Sequence, residues 1–334
     1  MNKQHIILTD FETPANWAFL DSLKETTGKE WTERPCVTNR LHGSKLKNLW
    51  RFVIYFFFPL KVLLGKKRYD NIIAWQQFYG LNFAFWSRFL HARKTCNLLI
   101  MTYIYNYRGG VIGRFKFRYM RYIVTSKYVD KFVCFSKNEC AYYAKLFGVS
   151  EDKFLYVPLG IDASENKKVV KGDYLFTTGR SNRDYEFLVD AIKGKGEKLV
   201  IACDSYYGKE GEGVEVDRDC YGEKMRDRMA KSLCVVIPLK DPKVSAGQLV
   251  ILQAMEMGKP VIATASEGIA DYIDNGQTGL IVKKTPEAII EAVDKLKHNR
   301  DLYQRLSTQS QQQFKERHTI NAMGKAIGAA LRGA

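Results

Sequence analysis

The sequence predicts an α/β protein made of two doubly wound domains, each built on a parallel sheet. Short apolar runs typical of strands alternate with helical segments along the chain, and strands that alternate with helices form parallel sheets. The alternation stops in a polar, aperiodic stretch at 163–172 and then starts again. The length of 334 residues suffices for two domains of ordinary size. In such sheets ligands bind beyond the carboxyl ends of the strands, so we expect the site in a cleft between the two domains.

The first domain is predicted to span residues 1–162, and 163–172 is the predicted linker. The strands of the first domain are expected at 6–9, 71–75, 97–102, 131–135 and 154–157. Apolar residues make up 46% of the chain and charged residues 26%, which is a globular composition. The seven cysteines form no CxxC pair and the start of the chain has no export signal, so we expect reduced thiols and a cytoplasmic location.

The second domain is predicted to span 173–315, and 316–334 is predicted to be a C-terminal helix that packs back on the first domain. The strands of this domain are expected at 174–178, 198–203, 213–216, 233–238, 261–264 and 279–282.

The clearest unit of the second domain is the strand at 233–238 followed by a loop, a helix and the strand at 261–264. Ser245 is the expected N-cap of this helix. Gly258 is placed to end it, and Pro260 cannot continue it. These residues therefore predict a helix that follows a strand after a short loop.

The start of this helix has the chemistry of a diphosphate site, because unpaired backbone N–H groups and a positive dipole end are found there. Ala246 and Gly247 are small enough for a phosphate to approach, and the expected amide donors are those of Gly247, Gln248 and Leu249. The alternative for this motif is simple helix capping.

Two arginines follow the first strand of the second domain. Arg180 comes directly after Gly179, so it can reach the same ligand. Together with Arg183 it can neutralise the charge that builds on a leaving diphosphate. The alternative for Arg183 is a surface ion pair with Asp184 or Glu186.

Four motifs in one segment carry a resemblance to a known family. They are QAM at 253–255, GKPVI at 258–262, EGIAD at 267–271 and NGQTGLIV at 275–282. In this order and spacing they resemble the donor-binding segment of GT-B glycosyltransferases, especially retaining family 4. Residues 129–162 and the Thr178-Gly179-Arg180 triplet are similar to the end of the first domain and the start of the second domain in that family.

The resemblance implies the GT-B fold of two Rossmann-like domains. It also implies transfer of a sugar from a nucleotide-diphosphate donor with retention, without a metal or other cofactor. No metal-ligand spacing appears among the five histidines. The donor-binding residues that it implies are Gly179, Ser245, Ala246, Gly247, Gln248, Leu249 and Gln253.

The chain departs from the family at three places. Ser245 and Gln253 stand where the family has two glutamates, and Met101-Thr102-Tyr103 stands where a histidine is often found. A glutamine can still bind ribose hydroxyls, but only as a neutral group. If the enzyme is instead inverting, Asp10 or Glu12, after the first strand, is the candidate base. The alternative for both is loop capping.

The positive charge is concentrated in the first domain. Residues 1–160 carry 25 Lys and Arg against 11 Asp and Glu, a net charge of +14, and the rest of the chain carries +2. An excess of this kind predicts an anionic partner, which is either nucleic acid or a membrane surface.

The composition of 45–69 favours the membrane. Its apolar run at 52–60 is too short to span a bilayer. It can lie in the interface with aromatic side chains among the acyl chains and bases on anionic headgroups. The contact residues are expected to be Trp50, Phe56, Phe57, Lys66, Lys67 and Arg68. The alternative is an ordinary amphipathic core helix with snorkelling bases. Aromatic and basic residues also bind single-stranded nucleic acid, but no nucleic-acid motif is present, so we expect no such partner.

These observations predict a cytoplasmic glycosyltransferase that is peripheral on the inner face of the membrane. It would move a sugar from a nucleotide-sugar donor to a lipid-linked or other membrane-associated glycan acceptor, in polysaccharide or glycan assembly. Two alternatives come from other classes. One is a GT-B pseudoenzyme or partner subunit that binds nucleotide sugar without turnover, and the other is a basic nucleic-acid-binding protein.

Overall fold

The computed structural model describes residues 4–38, 44–107, 109–163 and 169–332. The chain forms two compact units, one of residues 1–157 with 324–334 and one of residues 158–323. Part of the predicted linker, 164–168, lies outside the described residues.

The first unit contains a six-stranded sheet flanked by helices. Its strands are β1 (Gln4–Thr9), β2 (Trp31–Pro35), β3 (Tyr69–Ala74), β4 (Asn97–Ile100), β5 (Lys131–Cys134) and β6 (Phe154–Tyr156). Its helices are α1 (Ala18–Thr27), α2 (Lys45–Leu64), α3 (Gln77–Phe89), α4 (Gly110–Val124) and α5 (Lys137–Phe147). The strand order is β2-β1-β3-β4-β5-β6, and every pair is parallel.

The strand β2 was not predicted from the sequence. This strand lies at the edge of the sheet and pairs only with β1, with His5 opposite Trp31. Glu33 and Arg34 follow in the strand and Pro35 ends it. Charged residues and proline are common on edge strands and depress the apolar signal of a strand. The five strands predicted for this domain are all present.

The second unit contains a sheet of the same size. Its strands are β7 (Tyr174–Thr178), β8 (Lys198–Ala202), β9 (Val214–Asp217), β10 (Cys234–Ile237), β11 (Val261–Thr264) and β12 (Leu280–Val282). The helices that follow are α6 (Tyr185–Ile192), α7 (Gly222–Ala230), α8 (Gln248–Glu256), α9 (Pro286–His298), α10 (Arg300–Arg317) and α11 (Ile320–Arg332). The order is β12-β11-β10-β7-β8-β9, and every pair is parallel. All six predicted strands are present, and the two sheets confirm the doubly wound α/β fold.

The centre of the second sheet is covered on both faces, since every residue of β10 and β11 is buried and all but Thr264 are apolar. Lys259 lies just before β11 and is fully buried. Its Nζ donates to the carbonyl oxygens of Val170 and Ser232. Burial lowers the pKa of Lys259 to about 8. The lysine of the GKPVI motif is therefore a structural residue that ties together backbone from three segments.

The C-terminal part of α11 belongs to the first unit. It packs on α1 through two glycines: a Cβ on Gly324 would lie 2.7 Å from the Phe19 carbonyl oxygen, and one on Gly328 would lie 2.7 Å from the Thr26 Cβ. Lys325 Nζ is 3.6 Å from a Glu25 carboxylate oxygen. Side chains at these glycines would push the two helices apart.

A close approach of α3 to the first sheet gives a test of the packing. A Cβ on Gly80 would lie 2.6 Å from Ile100 Cγ1 and 2.8 Å from Ala74 Cβ. Gly80→Ala should therefore lower the free energy of unfolding by about 1–3 kcal/mol through overpacking. The control is Gly109→Ala, where φ is −64° and no atom lies within 4 Å of the added Cβ. Urea unfolding followed by circular dichroism measures both, and equal midpoints would contradict this packing.

Candidate functional site

The second sheet reverses its strand order between β7 and β10. On one side lie β8 and β9, and on the other lie β11 and β12. This is the order of a classic dinucleotide-binding sheet, in which the ligand lies at the carboxyl ends of the two strands at the switch point. The loops after β7 (179–184) and after β10 (238–247) are therefore the candidate site of the second unit.

Hydrogen bonds hold these two loops together. Asn182 has a φ of +54°, and its Nδ2 donates to the Asp241 carbonyl oxygen at 2.8 Å. The Asp241 backbone N–H donates to Asn182 Oδ1 at 2.8 Å. The Asp184 N–H donates to the Pro238 carbonyl oxygen at 2.8 Å. The backbone on both sides of the switch point is thus fixed by direct bonds.

Arg183 lies between two glycines of these loops. Gly179 has a φ of +111°, and a Cβ there would be 2.8 Å from Arg183 Nη2. A Cβ on Gly247 would be 3.8 Å from the same atom. Arg183 donates from Nε to the Thr178 carbonyl oxygen at 3.0 Å and from Nη1 to the Ser181 carbonyl oxygen at 2.8 Å. Glycine at position 179 therefore makes room for the guanidinium, which lies within ordinary contact distance of Gly247 at the start of α8.

The charge of Arg183 is not balanced by a carboxylate in the part of the chain that the structure describes. Burial lowers the pKa of Arg183 from its usual value. The alternative of an ion pair with Asp184 or Glu186 is wrong: an Asp184 oxygen lies 2.6 Å from Lys284 Nζ, and Glu186 accepts from the Tyr206 hydroxyl. A partly desolvated cation with this geometry is suited to bind an anion.

Arg180 has a different environment. Its side chain is 74% exposed and forms a two-point ion pair with Asp204, with Nε 2.8 Å from Oδ1. Asp204 follows β8, so the sequence did not indicate this partner. The catalytic role of Arg180 stays a prediction, and a ligand there has to compete with Asp204.

Helix α8 begins at Gln248 with Gly247 as its N-cap, so the prediction that Ser245 is the N-cap is wrong. Gly247 has a φ of +98°, which favours glycine, and no side chain caps the helix among the described residues. Ser245 Oγ instead accepts from the Gln248 side chain. A Cβ on Gly268 would lie 2.4 Å from Ser245 Oγ, so the loops after β10 and β11 pack closely. Ala246 is buried beside them.

The exposed face of α8 carries the other predicted donor residues. Leu249 is 52% exposed, and Gln253, four residues on, lies on the same face and is half-buried. No described residue forms a hydrogen bond with the Gln253 amide group. Its amide is therefore available to a ligand at the start of α8.

Ser266 is a candidate binding residue that was not predicted from the sequence. Its hydroxyl oxygen is buried and has no hydrogen-bond partner among the described residues. Ser266 lies in the loop after β11, directly before the EGIAD motif. Its position next to this motif is the sequence feature that could have indicated it. A buried hydroxyl without a partner costs free energy unless a ligand or water satisfies it.

The first sheet has its own switch point, between β1 and β3. Asp10 and Glu12 follow β1, and Glu12 is exposed. Asp10 Oδ2 accepts from Gln76 Nε2 at 2.9 Å, and the same nitrogen lies 3.4 Å from the Tyr55 hydroxyl. Among the described residues, no backbone N–H of the loop donates a hydrogen bond to the Asp10 carboxylate. The loop-capping alternative is therefore wrong for Asp10.

The predicted membrane-contact residues lie on or just after α2. Trp50 and Phe57 are exposed, as are Lys66, Lys67 and Arg68. Phe56 is half-buried and packs on Trp86, with ring centroids 4.9 Å apart. Phe56 is thus a packing residue that the sequence did not distinguish from its neighbours. No helix in the described part of the chain is long and apolar enough to cross a membrane.

Solved structures share this architecture over nearly the whole chain. Sucrose-phosphate synthase from Thermosynechococcus elongatus aligns with a TM-score of 0.72 at 15% identity, over 99% of each chain. HepE from Anabaena, solved in complex with UDP-glucose, aligns with a TM-score of 0.67 at 14% identity, over 99% of this chain and 100% of that chain. The chain has the GT-B fold, as predicted.

The sequence comparisons add a likeness within the second unit. Residues 211–313 match the family model of glycosyl transferases group 1, so this segment is similar to that group. A probable sucrose-phosphate synthase from Thermosipho melanesiensis is 26% identical over 233 residues, which are 62% of this chain and 53% of the relative. The chain therefore spans about half the length of the curated relative it matches. The predicted resemblance is confirmed at this level, and assignment to family 4 stays a prediction.

The prediction of an anion site at the start of α8 can be tested with inorganic pyrophosphate. Arg183→Met keeps the apolar stem and removes the charge, so pyrophosphate affinity should fall at least about tenfold, the effect of one lost charged hydrogen bond. Arg180→Ala should have a smaller effect on binding, because Asp204 already pairs with that side chain. The control is Arg218→Met, which removes an arginine paired with Glu210. Isothermal titration calorimetry gives the affinities, and wild-type binding by Arg183→Met would exclude Arg183 from the site.

Proposed function

We propose that the protein is a glycosyltransferase that transfers a sugar from a nucleotide-diphosphate donor to a membrane-associated, lipid-linked glycan acceptor. The observation that carries this proposal is the Arg183 guanidinium, unpaired with any described carboxylate, beside the uncapped start of α8 at the switch point. The likeness to glycosyl transferases group 1 supports it, as does the UDP-glucose bound to HepE.

The donor diphosphate would bind at the start of α8. The N–H groups of Gly247, Gln248 and Leu249 are not used by the helix and can donate to phosphate oxygens. Arg183 adds a fixed positive charge that strengthens its interaction as the diphosphate leaves. Both sources of positive potential are protein groups, so we propose that no metal is needed.

The rest of the donor would extend over neighbouring residues. Gln253, on the exposed face of α8, can donate to and accept from ribose hydroxyls. Ser245 is occupied by Gln248 and packs against Gly268, so we propose that Ser266 and nearby backbone hold the sugar in place of the family's first glutamate. With retention, the acceptor attacks on the face from which the diphosphate departs, and the leaving phosphate takes the proton.

A pseudoenzyme that binds nucleotide sugar without turnover is the second candidate. The neutral residues at Ser245 and Gln253 favour it, because both family carboxylates are lost. The ion pair between Arg180 and Asp204 also favours it, because it occupies a predicted catalytic arginine.

The two candidates differ in turnover, so binding and hydrolysis are measured together. A panel of UDP-, GDP- and ADP-sugars is screened by thermal shift, and a ligand at 100 times its Kd should add about 2.7 kcal/mol to the stability of the folded protein. Gln253→Ala should weaken donor binding by roughly 1–3 kcal/mol, while Gln253→Glu should be tolerated. Binding with slow sugar release identifies a transferase, and binding without release identifies the pseudoenzyme. Failure of the whole panel to bind would overturn both.

We also propose that the protein is cytoplasmic and binds the inner face of the membrane through its first unit. Helices α2 and α4 each contain four basic residues and no acidic residue. On α4, the side chains of Val111, Ile112 and Phe115 are about three-quarters exposed among these bases. Exposed apolar side chains flanked by bases are typical of helices that lie in the membrane interface.

Vesicle co-sedimentation separates the apolar and electrostatic parts of this binding. Binding to anionic vesicles should weaken with salt but persist, because insertion of apolar side chains is not screened. Replacing Trp50 and Phe57 with serine should weaken the salt-resistant part. Reversing the charge of Lys66, Lys67 and Arg68 should weaken the salt-sensitive part, by about 1 kcal/mol per base.

The control for the apolar variant is the exchange of Tyr207 and Tyr221 for serine, since these exposed rings lie in the second unit. Phe56 is left unchanged because it packs on Trp86. A wild-type protein that stays in the supernatant at low salt would show that the acceptor is not reached at a membrane surface.

A further inference from the structure

The switch point of the first unit has a charge opposite to that of its surroundings. The loops after β1 and β3, residues 10–17 and 75–77, contain Asp10 and Glu12 and no lysine or arginine. This edge lies in a part of the chain whose net charge is +14 for residues 1–160. The residues at the carboxyl ends of β1 and β3 therefore differ in chemistry from the basic helices α2 and α4.

Gln76 holds the Asp10 carboxylate from a fixed direction. Gln76 Oε1 accepts from the Phe78 backbone N–H at 3.4 Å, at the start of α3. Its Nε2 donates to Asp10 Oδ2 at 2.9 Å. A rotated amide would place its NH₂ group against the Phe78 N–H and its oxygen against the carboxylate, which are two repulsive contacts. The side-chain amide is therefore locked with its donor towards Asp10.

The second carboxylate oxygen of Asp10 remains available. No described residue donates to Oδ1, and the side chain is half-buried. An ionised carboxylate only accepts hydrogen bonds, so its natural ligand is a hydroxyl or another donor. A phosphate would be repelled, because like charges at close range are unfavourable and the loops supply no base.

Aromatic rings lie at the same edge of the sheet. Trp75 directly precedes Gln76, and its ring is 6.0 Å from that of Phe11 and 5.0 Å from that of Trp17, in edge-to-face contacts. Trp75 and Phe11 are both half-buried. Aromatic surface with a few fixed polar groups is the usual lining of a small-molecule site.

We propose that Asp10 binds a hydroxyl of a neutral sugar in the acceptor and that Gln76 is the residue that positions Asp10. At this switch point Asp10 recognises a carbohydrate hydroxyl. Anionic headgroups bind instead to the basic side chains of α2 and α4. This inference rests on the proposed function, because it assigns the acceptor chemistry of the same enzyme.

The test uses the full chain and n-octyl glycosides of glucose, galactose and N-acetylglucosamine as probes, with octyl phosphate for comparison. In isothermal titration calorimetry at least one glycoside should bind in an Asp10-dependent way, whereas octyl phosphate, which can also bind Arg183 and the bases of α2 and α4, should not lose affinity when Asp10 is replaced. Asp10→Ala and Gln76→Met should each weaken its binding about tenfold, the effect of one lost hydrogen bond to a charged group. Gln77→Met is the matched control, since the Gln77 side chain accepts from the Ile104 N–H and does not contact Asp10.

Two further measurements separate positioning from general damage to the fold. The double variant Asp10→Ala with Gln76→Met should bind no more weakly than Asp10→Ala alone, because Gln76 acts through Asp10. Gln76→Glu keeps the oxygen that accepts from Phe78 and removes the donor to Asp10, so it should weaken glycoside binding while circular dichroism stays that of the wild type.

Three results would overturn the inference: no glycoside binding, octyl phosphate binding that Asp10→Ala weakens, or additive losses in the double variant. If the protein binds nucleotide sugar but its glycoside binding does not depend on Asp10, only this inference is refuted. If glycoside binding depends on Asp10 but no nucleotide sugar binds, the proposed donor function is refuted instead.

Discussion

The switch point of the second unit depends on one electrostatic constraint. The Arg183 guanidinium lies beside the start of α8, and no carboxylate of the described residues pairs with it. Gly179 makes this possible, because a Cβ there would lie 2.8 Å from Arg183 Nη2, and the left-handed φ of Gly247 sets the backbone at the start of α8. The bonds between Asn182 and Asp241 fix the two loops that carry these glycines. A cation and a helix dipole that point at the same place are unfavourable until an anion arrives. The local structure therefore favours an anionic ligand.

The fold was predictable because strands and helices are local patterns. The central strands β10 and β11 are apolar except for Thr264, and Gly258 and Pro260 mark the end of α8. The edge strand β2 was not predicted because Glu33 and Arg34 interrupt its apolar pattern. Ser245 was misassigned because an N-cap preference is statistical, whereas the left-handed φ of Gly247 depends on how the loop after β10 packs.

The sites were less predictable because their decisive contacts join distant residues. Spacing showed two arginines after β7 but not that Asp204 pairs with Arg180 and leaves Arg183 unpaired with any described carboxylate. Likewise, Asp10 was a candidate from its position after β1, but its partner Gln76 lies 66 residues away. Such contacts become visible only when neighbouring strands are known, since strands adjacent in a sheet bring together loops that are far apart in sequence.

The connection of the two units has a consequence for biosynthesis. Residues 158–323 form the second unit as one uninterrupted stretch, whereas the first unit combines 1–157 with residues from 324 onward. During translation the first unit emerges early, but the part of α11 that packs on α1 is made only after the whole second unit. A domain generally folds once its own chain is available. The second unit can therefore fold on the ribosome before the contact of α11 with α1 completes the first unit.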